Sequence, residues 1–294
     1  MSVISARNLS KRYGDVRALD GFDLNVERGR IVGLIGPNGS GKTTALQAIL
    51  GLNQLSSGAI DVLGMNPWSQ RDKLMKQVAY IPDTGILPKW MKVRDLLDFV
   101  EGVHPGFDIN KAKARLASTQ IKMDKKVRTL SKGMNVQLHL AIILAIGADL
   151  LVLDEPTLGL DILYRQQFYD AVLDDYFTQE RSILVTTHEV REIENILTDV
   201  VFIHQGRVRL AASMDDIATR FVKLATAQSV PHQPLGVRTG LSGQELIFQD
   251  VPAATLAEYG PVSTPNLAEL FVALVKEGSV QGSSANSGSV EEVA

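Results

Sequence analysis

The sequence predicts an α/β protein: a parallel β core with flanking helices, antiparallel strands at the N-terminus, a mainly helical insert and a small α+β appendage. Three observations carry that prediction. IVGLIG (Ile31 to Gly36), LLVLD (Leu150 to Asp154) and ILVTTH (Ile183 to His188) are short, nearly continuous apolar runs, the pattern of strands buried on both faces in a parallel sheet. Helical patterns follow or separate them, and strand–helix–strand alternation builds a parallel α/β core. The length of 294 residues corresponds to about two domains at roughly 150 residues each.

The elements follow in order. Phe22, Leu24 and Val26 alternate with Asp23, Asn25 and Glu27, the period of a half-buried strand, so the first 30 residues or so read as short antiparallel strands. After the first buried run, Ala45, Leu46, Ile49 and Leu50 have helical spacing, and Gly51 is placed to cap that helix. The stretch from about Val93 to Gly147 is mainly helical, beginning with RDLLDFVEGV and ending with a long apolar helix; it makes a helical subdomain over about 90–147. A further helix including Phe168 and Val172 separates the last two buried strands. From about Phe221 the segments shorten and Pro231, Pro234, Pro252, Pro261 and Pro265 appear, before an amphipathic NLAELFVALV. The expected division is a main domain over 1–215, an accessory domain over 221–275 and a Gly/Ser-rich, disordered tail over 277–294.

Composition excludes several functions. With 30 Lys+Arg against 33 Asp+Glu the net charge is −3, which gives no overall attraction to nucleic acid or an acidic membrane. Cysteine is absent, which removes disulfide scaffolds, thiolate zinc sites, iron–sulfur clusters and cysteine nucleophiles and fits a reducing compartment. The most apolar region, Leu140 to Leu153, is broken by Gly147 and Asp149 and falls short of the ~20 residues a membrane span needs. No apolar stretch follows the charges of MSVISARNLSKRYG, so a secretory signal is not expected and the chain reads as soluble.

GPNGSGKTT, comprising Gly36, Pro37, Asn38, Gly39, Ser40, Gly41, Lys42, Thr43 and Thr44, fits G-x-x-x-x-G-K-[ST] between a predicted strand and a predicted helix. The glycines let backbone N–H groups converge on phosphate oxygens, and the helix N-terminus adds open donors and partial positive charge. Lys42 supplies a point charge for the β- and γ-phosphates, and the Thr43 hydroxyl is placed for Mg²⁺. The fixed positions arise by chance in roughly one chain in a hundred, and the strand-to-helix context makes coincidence rarer still. The expected ligand is a nucleoside triphosphate.

Asp154 and Glu155 end the second buried run. Ligands of open α/β sheets bind beyond the carboxyl ends of the strands, where Gly36 and His188 also belong. Asp154 can hold Mg²⁺ through water, and Glu155 can orient or deprotonate the attacking water. His188, as neutral imidazole, can contact the γ-phosphate or that water. His104, His139, His204 and His232 are read as structural. The basic run Lys122, Lys125, Lys126, Arg128, Lys132 is read as a solvated helical face.

TLSKGM (Thr129 to Met134) starts an apolar helix and resembles the LSGGQ signature of ATP-binding cassette (ABC) ATPases. With the phosphate loop, LLVLDEPTLGLD and His188, the order and spacing resemble a complete cassette over about Val3 to Val208, and so a P-loop NTPase fold. The resemblance implies that Tyr13 stacks on adenine, Gly36 to Thr44 cradle phosphate, Asp154 attends Mg²⁺, and Glu155 is the catalytic base. It further implies that Leu158, Gly159, Leu160 and Asp161 cross to a partner subunit, that His188 is the switch histidine, and that Ser131, Lys132, Gly133 and Met134 contact ATP held by the opposite subunit. Two helix N-termini facing one ATP join two subunits, and isologous pairing gives two ATPs per dimer.

Three positions depart from the family pattern. Asp83 in YIPDTG stands where the family has glutamine, Lys132 replaces the first signature glycine, and Met134 replaces the signature glutamine. A carboxylate at 83 can still ligate Mg²⁺, and a backbone N–H remains at Lys132. LSKGM and the tail PNLAELFVALV resemble bacterial exporter-type cassettes. The implied protein is the ATP-hydrolysing subunit of an exporter, cytoplasmic and peripheral on the inner membrane. A separate transmembrane permease would be contacted from Asp83 to Val100, and the ATP-dependent dimer would be either a homodimer or a heterodimer with a second cassette. The alternative is a soluble ABC ATPase acting on ribosomes or DNA. The ribosomal type carries two cassettes, and the chromosomal type inserts a long coiled coil where only 89 positions separate Lys42 from Ser131. No nucleic-acid partner is expected.

Overall fold

The alternation at Phe22 to Glu27 builds what it predicts. β1 (Ser2–Tyr13) pairs antiparallel with β2 (Val16–Glu27), and Phe22, Leu24 and Val26 are buried while Asp23, Asn25 and Glu27 face solvent. The structure is a computed structural model that describes residues 2–83, 87–179, 181–240 and 243–283. β3 (Ile31–Ile35) is buried at all five positions and leads through the phosphate loop into α1 (Lys42–Ile49). Gly51 follows the end of that helix at φ 63°. β4 (Ser57–Val62) joins the far side of β1, giving a three-stranded sheet ordered β2-β1-β4.

A short α2 (Arg71–Leu74) precedes β5 (Val78–Ile81). The insert then supplies α3 (Val93–Val103), α4 (Ile109–Ala117) and α5 (Lys132–Leu144). β6 (Leu150–Asp154), α6 (Ile162–Gln179), β7 (Ser182–Thr187), β8 (Asp199–His204) and β9 (Arg207–Ser213) follow. The larger sheet is ordered β5-β6-β7-β3-β8-β9, with β5/β6, β6/β7, β7/β3 and β3/β8 all parallel. That order sets β6, β7 and β3 side by side, so the carboxyl ends carrying Asp154, Thr187 and Ile35 share one edge. Apolar side chains of both sheets, including Phe22, Leu34, Leu150 and Leu184, pack around Leu46 and Ile49 of α1 in one core.

The chain divides at Val208/Arg209 into two compact units. The second contains α7 (Met214–Arg220), β10 (Phe221–Thr226), β11 (Gly236–Gly240), β12 (Gly243–Gln249), α8 (Ala253–Leu256), β13 (Val262–Ser263) and α9 (Leu267–Ser283). Its antiparallel sheet is ordered β11-β12-β10-β13 around Val222, Leu224, Leu246, Phe248 and Leu256.

Two expectations need correction. The tail expected to be disordered from 277 is helical through Ser283, because the apolar pattern of NLAELFVALV propagates as α9; residues 284–294 lie outside the described residues. The basic run is not a continuous α-helical face: only Lys132 lies in an α-helix, and residues 122–128 form a turn, a single bridge at Lys126 and the start of a 3₁₀ turn, held by backbone bonds to residues 89–94. Tertiary pairing overrides the i, i+3, i+4 spacing of its lysines.

Candidate functional site

The phosphate loop is fixed by close backbone approach. A Cβ at Gly36 would stand 2.3 Å from the Ile203 carbonyl oxygen and 2.6 Å from Ser40 Oγ; one at Gly41, where φ is 112°, would stand 2.5 Å from the Ala18 carbonyl oxygen. The turn after β8 completes a three-way joint. Gly206 N–H donates to the Ser40 carbonyl at 2.8 Å, and Asp20 N–H donates to the Gly206 carbonyl at 3.0 Å. Arg207 clamps Asp20 from the side at 2.7 Å, holding that carboxyl below its ordinary range. Gly41 caps α1 with no side-chain hydrogen bond, so the first-turn N–H groups remain open to an anion.

Lys42 is 6% exposed. Its ammonium donates to the Gly36 carbonyl at 2.7 Å and the Pro37 carbonyl at 3.3 Å, and lies 3.4 Å from Glu155 Oε1. Glu155 adopts φ 45°, a left-handed conformation that costs a non-glycine residue on the order of 1 kcal/mol. The bend lets its N–H donate to the Thr186 carbonyl at 3.1 Å while its carboxylate turns to His188. Both carboxylate oxygens lie 2.9 Å from His188 Nδ1. Lysine, glutamate and histidine from three elements thus form one connected chain.

Asp154 lies beneath them, 1% exposed, and accepts a 2.6 Å hydrogen bond from the Thr186 hydroxyl. Burial raises its carboxyl above the ordinary range; Asp83 and Glu155 add to the rise, while Thr186 and Lys42 oppose it. Tyr80 is pushed up to about 12, first by burial and then by Asp154 and Asp83. The site therefore concentrates carboxylate charge against Lys42.

A cavity of about 580 Å³ opens over this array. Tyr13, the loop from Pro37 to Thr44, Asp83, Glu155, Leu158 and His188 line it, together with Val16, Arg17 and Ala18. Tyr13 is 47% exposed, its hydroxyl accepts from the Asn53 amide, and the Lys11 ammonium lies 5.1 Å from its ring centre. Among the described residues no cluster of three or more His, Cys, Asp or Glu could cage a metal. Mg²⁺ does not require one, since it binds nucleotide through one or two protein oxygens, phosphate and water. The hard oxygens of Thr43 and Asp154, with Asp83 on the same edge, suit that ion.

Ser131 to Met134 do not line this cavity. Ser131 is exposed and caps α5, its hydroxyl accepting from Met134 N–H at 3.2 Å. Gly133 is pressed against Tyr164, where a Cβ would meet the ring at 2.7 Å. The Lys132 ammonium occupies the space over Gly159, which has φ 72°. Leu158 is 51% exposed, Leu160 is buried, and Asp161 accepts from Tyr164 N–H at 3.0 Å. Arg165 braces this loop through the Leu160 carbonyl at 2.8 Å and through Glu189 and Glu192. Sequence reasoning missed Thr186 and Arg165. A hydroxyl inside the apolar run ILVTTH was the available signal for the first; nothing local marks the second.

The family described as ABC transporter matches residues 19–158. The chain is 30% identical over 225 residues to the ABC transporter ATP-binding protein YtrB of Bacillus subtilis (strain 168), covering 76% of this chain and 77% of that protein. It is 36% identical over 210 residues to the Nod factor export ATP-binding protein I of Burkholderia lata, covering 69% and 68%. The solved structure of an ATP-binding subunit of an ABC transporter superposes with a TM-score of 0.66 at 27% identity, covering 73% of this chain and 91% of that one. With that identity and coverage, the chain belongs to the ABC transporter family as an ATP-binding subunit that hydrolyses ATP.

Proposed function

We propose that this chain powers an exporter by closing as a dimer over two Mg-ATP and driving a separate transmembrane permease from the cytoplasmic face of the inner membrane. The observation that carries the reading is the Lys42–Glu155–His188 chain at the mouth of the cavity. In it Tyr13 stacks on the base, and Gly36 to Thr44 bind the phosphates through backbone N–H groups and Lys42. Mg²⁺, when bound, would neutralise phosphate charge, and Thr43 and Asp154 would hold it, with Asp83 beside them. Glu155 accepts a proton from the attacking water, and His188 keeps its carboxylate aimed and contacts the γ-phosphate. ATP phosphates compete with Glu155 for the Lys42 ammonium.

The exposed start of α5 supports dimerisation. Ser131, Lys132, Gly133 and Met134 lie outside the lining of their own nucleotide cavity, so the anion they serve belongs to a second copy, which Leu158 to Asp161 also reach. The Nod factor export relatives support the direction of transport. Residues Asp83 to Val100 lie in the region that contacts the permease; 84–86 lie outside the described residues.

Glu155→Gln tests the chemistry. ATP binding should persist, hydrolysis should fall by about 10²–10⁴-fold, and ATP should shift the protein to a dimer on size exclusion. Undiminished turnover would remove Glu155 from its role. Adding Ser131→Arg should abolish that dimer while leaving ATP binding intact, and affinity capture from cells should recover a permease.

A further inference from the structure

Residues 89–94 run antiparallel to residues 122–128 in the helical insert. Arg128 N–H donates to the Lys89 carbonyl (3.0 Å), Val127 to Met91 (2.9 Å), Val93 to Lys125 (3.0 Å) and Arg94 to Met123 (3.1 Å). Lys92 sits directly opposite Lys126. The pairing is short: Met91 N–H closes a turn on the Pro88 carbonyl, Lys125 N–H closes one on the Lys122 carbonyl, and Val127–Thr129 is a 3₁₀ turn. Val93 and Val127 are buried and Met91 and Met123 half-buried, while Trp90, Arg94, Lys122, Lys126 and Arg128 are exposed. The exposed side chains here are mainly basic, with Asp124 among them.

Arg94 is neutralised by Asp124 at 2.7 Å and Asp95 at 3.4 Å. Among the described residues, Lys89, Lys92, Lys122, Lys125, Lys126 and Arg128 form no ion pair. Like charges directly opposite each other, as at Lys92 and Lys126, oppose the pairing that holds the ribbon, so this arrangement does not serve the fold. Trp90 is 72% exposed within the basic cluster. Six uncompensated cations around one exposed indole, on a chain of net charge −3, form a local site for an anionic surface.

We infer that this ribbon binds the acidic phospholipid headgroups of the membrane. Clusters of four to eight Lys/Arg bind anionic leaflets, and an exposed Trp suits the headgroup level. A nucleic acid would instead favour successive aromatic stacking platforms, and Trp90 stands alone. The inference rests on reading the chain as a transporter subunit: the segment proposed to meet the permease runs into the ribbon, so docking presents the basic face toward the bilayer.

The test uses the purified full chain in flotation with vesicles of phosphatidylcholine alone and of phosphatidylcholine with about a third phosphatidylglycerol. Each Lys or Arg near such a surface contributes roughly a fivefold factor at low salt. Lys122→Gln/Lys125→Gln/Lys126→Gln should therefore weaken binding on the order of 100-fold, with ATP hydrolysis unchanged as the control for folding. Binding should require the anionic lipid and fall steeply with salt, and in a Trp68→Phe background Trp90 emission should shift to the blue on vesicles. Failure of the parent chain to prefer anionic vesicles, or equal binding by the triple variant, would overturn the inference. So would a triple variant that loses permease capture in detergent while still binding vesicles. Intact ATP hydrolysis without vesicle binding would defeat this inference alone, whereas vesicle binding without ATP hydrolysis would defeat the transporter reading and leave the ribbon's lipid affinity standing.

Discussion

Thr186→Val removes one hydroxyl from the centre of the site and keeps the side-chain shape. The residue is fully buried, and its hydroxyl donates to Asp154 at 2.6 Å and accepts from Glu155 N–H at 3.2 Å; after the change Glu155 N–H keeps its bond to the Thr186 carbonyl at 3.1 Å. A hydrogen bond to a charged group contributes about 1.5–3 kcal/mol, equivalent to a rise of about one to two pKa units at Asp154. That carboxyl is already raised above 3.8 by burial. Between 3.8 and its folded value the native state holds more protons than the unfolded chain, so stability falls as pH rises through that window, and the cost of the charged carboxylate is complete above it. Losing the hydroxyl extends the window upward. At a pH above that window the nucleotide-free variant should lose the full 1.5–3 kcal/mol, roughly 3–12 °C in Tm for a domain of this size, and much less at a pH near 3.8, at its lower end. Thermal melts at both pH values check this. An equal loss of Tm at the two pH values would refute the electrostatic account.

Three further outcomes are expected. Gly36→Ala drives a methyl onto the Ile203 carbonyl, and fluorescent-nucleotide titration should show affinity reduced at least ~10-fold along with about 1–3 kcal/mol of destabilisation. Gly133→Ala crowds the Tyr164 ring and should cost a similar 1–3 kcal/mol in urea unfolding, yet leave monomer nucleotide affinity unchanged, because Gly133 lies outside the cavity. Burial depresses the His139 imidazole to about 4, below its ordinary 6.5, so its contribution is complete above pH 6.5 and is lost as pH falls toward 4; His139→Gln should flatten that decline, by up to about 3 kcal/mol, in urea midpoints compared at pH 7 and 4.5.

The phosphate loop was legible because its chemistry is contiguous: Gly36 to Thr44 carry glycines, lysine and hydroxyls in one turn. Asp154, Glu155 and His188 were legible for a different reason. Each follows an apolar run, and parallel pairing sets such run ends on one edge of the sheet. Thr186 was hidden because a threonine inside an apolar strand has no distinctive period, and its partner lies on the neighbouring strand. The ribbon was misread for a related reason. Lys122, Lys125 and Lys126 have helical spacing, but the structure of their segment is decided by backbone bonds to Lys89, Met91, Val93 and Arg94, which no local pattern reveals. Arg165 braces the loop after Glu155 through acids that follow β7, again a purely tertiary relation.

The joint of Ala18, Ser40, Gly41 and Gly206 has a mechanical consequence. Because the phosphate loop is bonded to the β8–β9 turn, and that turn to Asp20, a ligand that stills the loop also stills the antiparallel sheet. Nucleotide at a hundredfold excess over its Kd adds about 2.7 kcal/mol to the folded state. Part of that should appear as slowed amide exchange at Asp20 and Gly206, whose N–H groups lie in the joint rather than among the loop's open donors. The small sheet then moves with the loop as one body, a rigid handle through which occupancy of the cavity is felt at a distance from it.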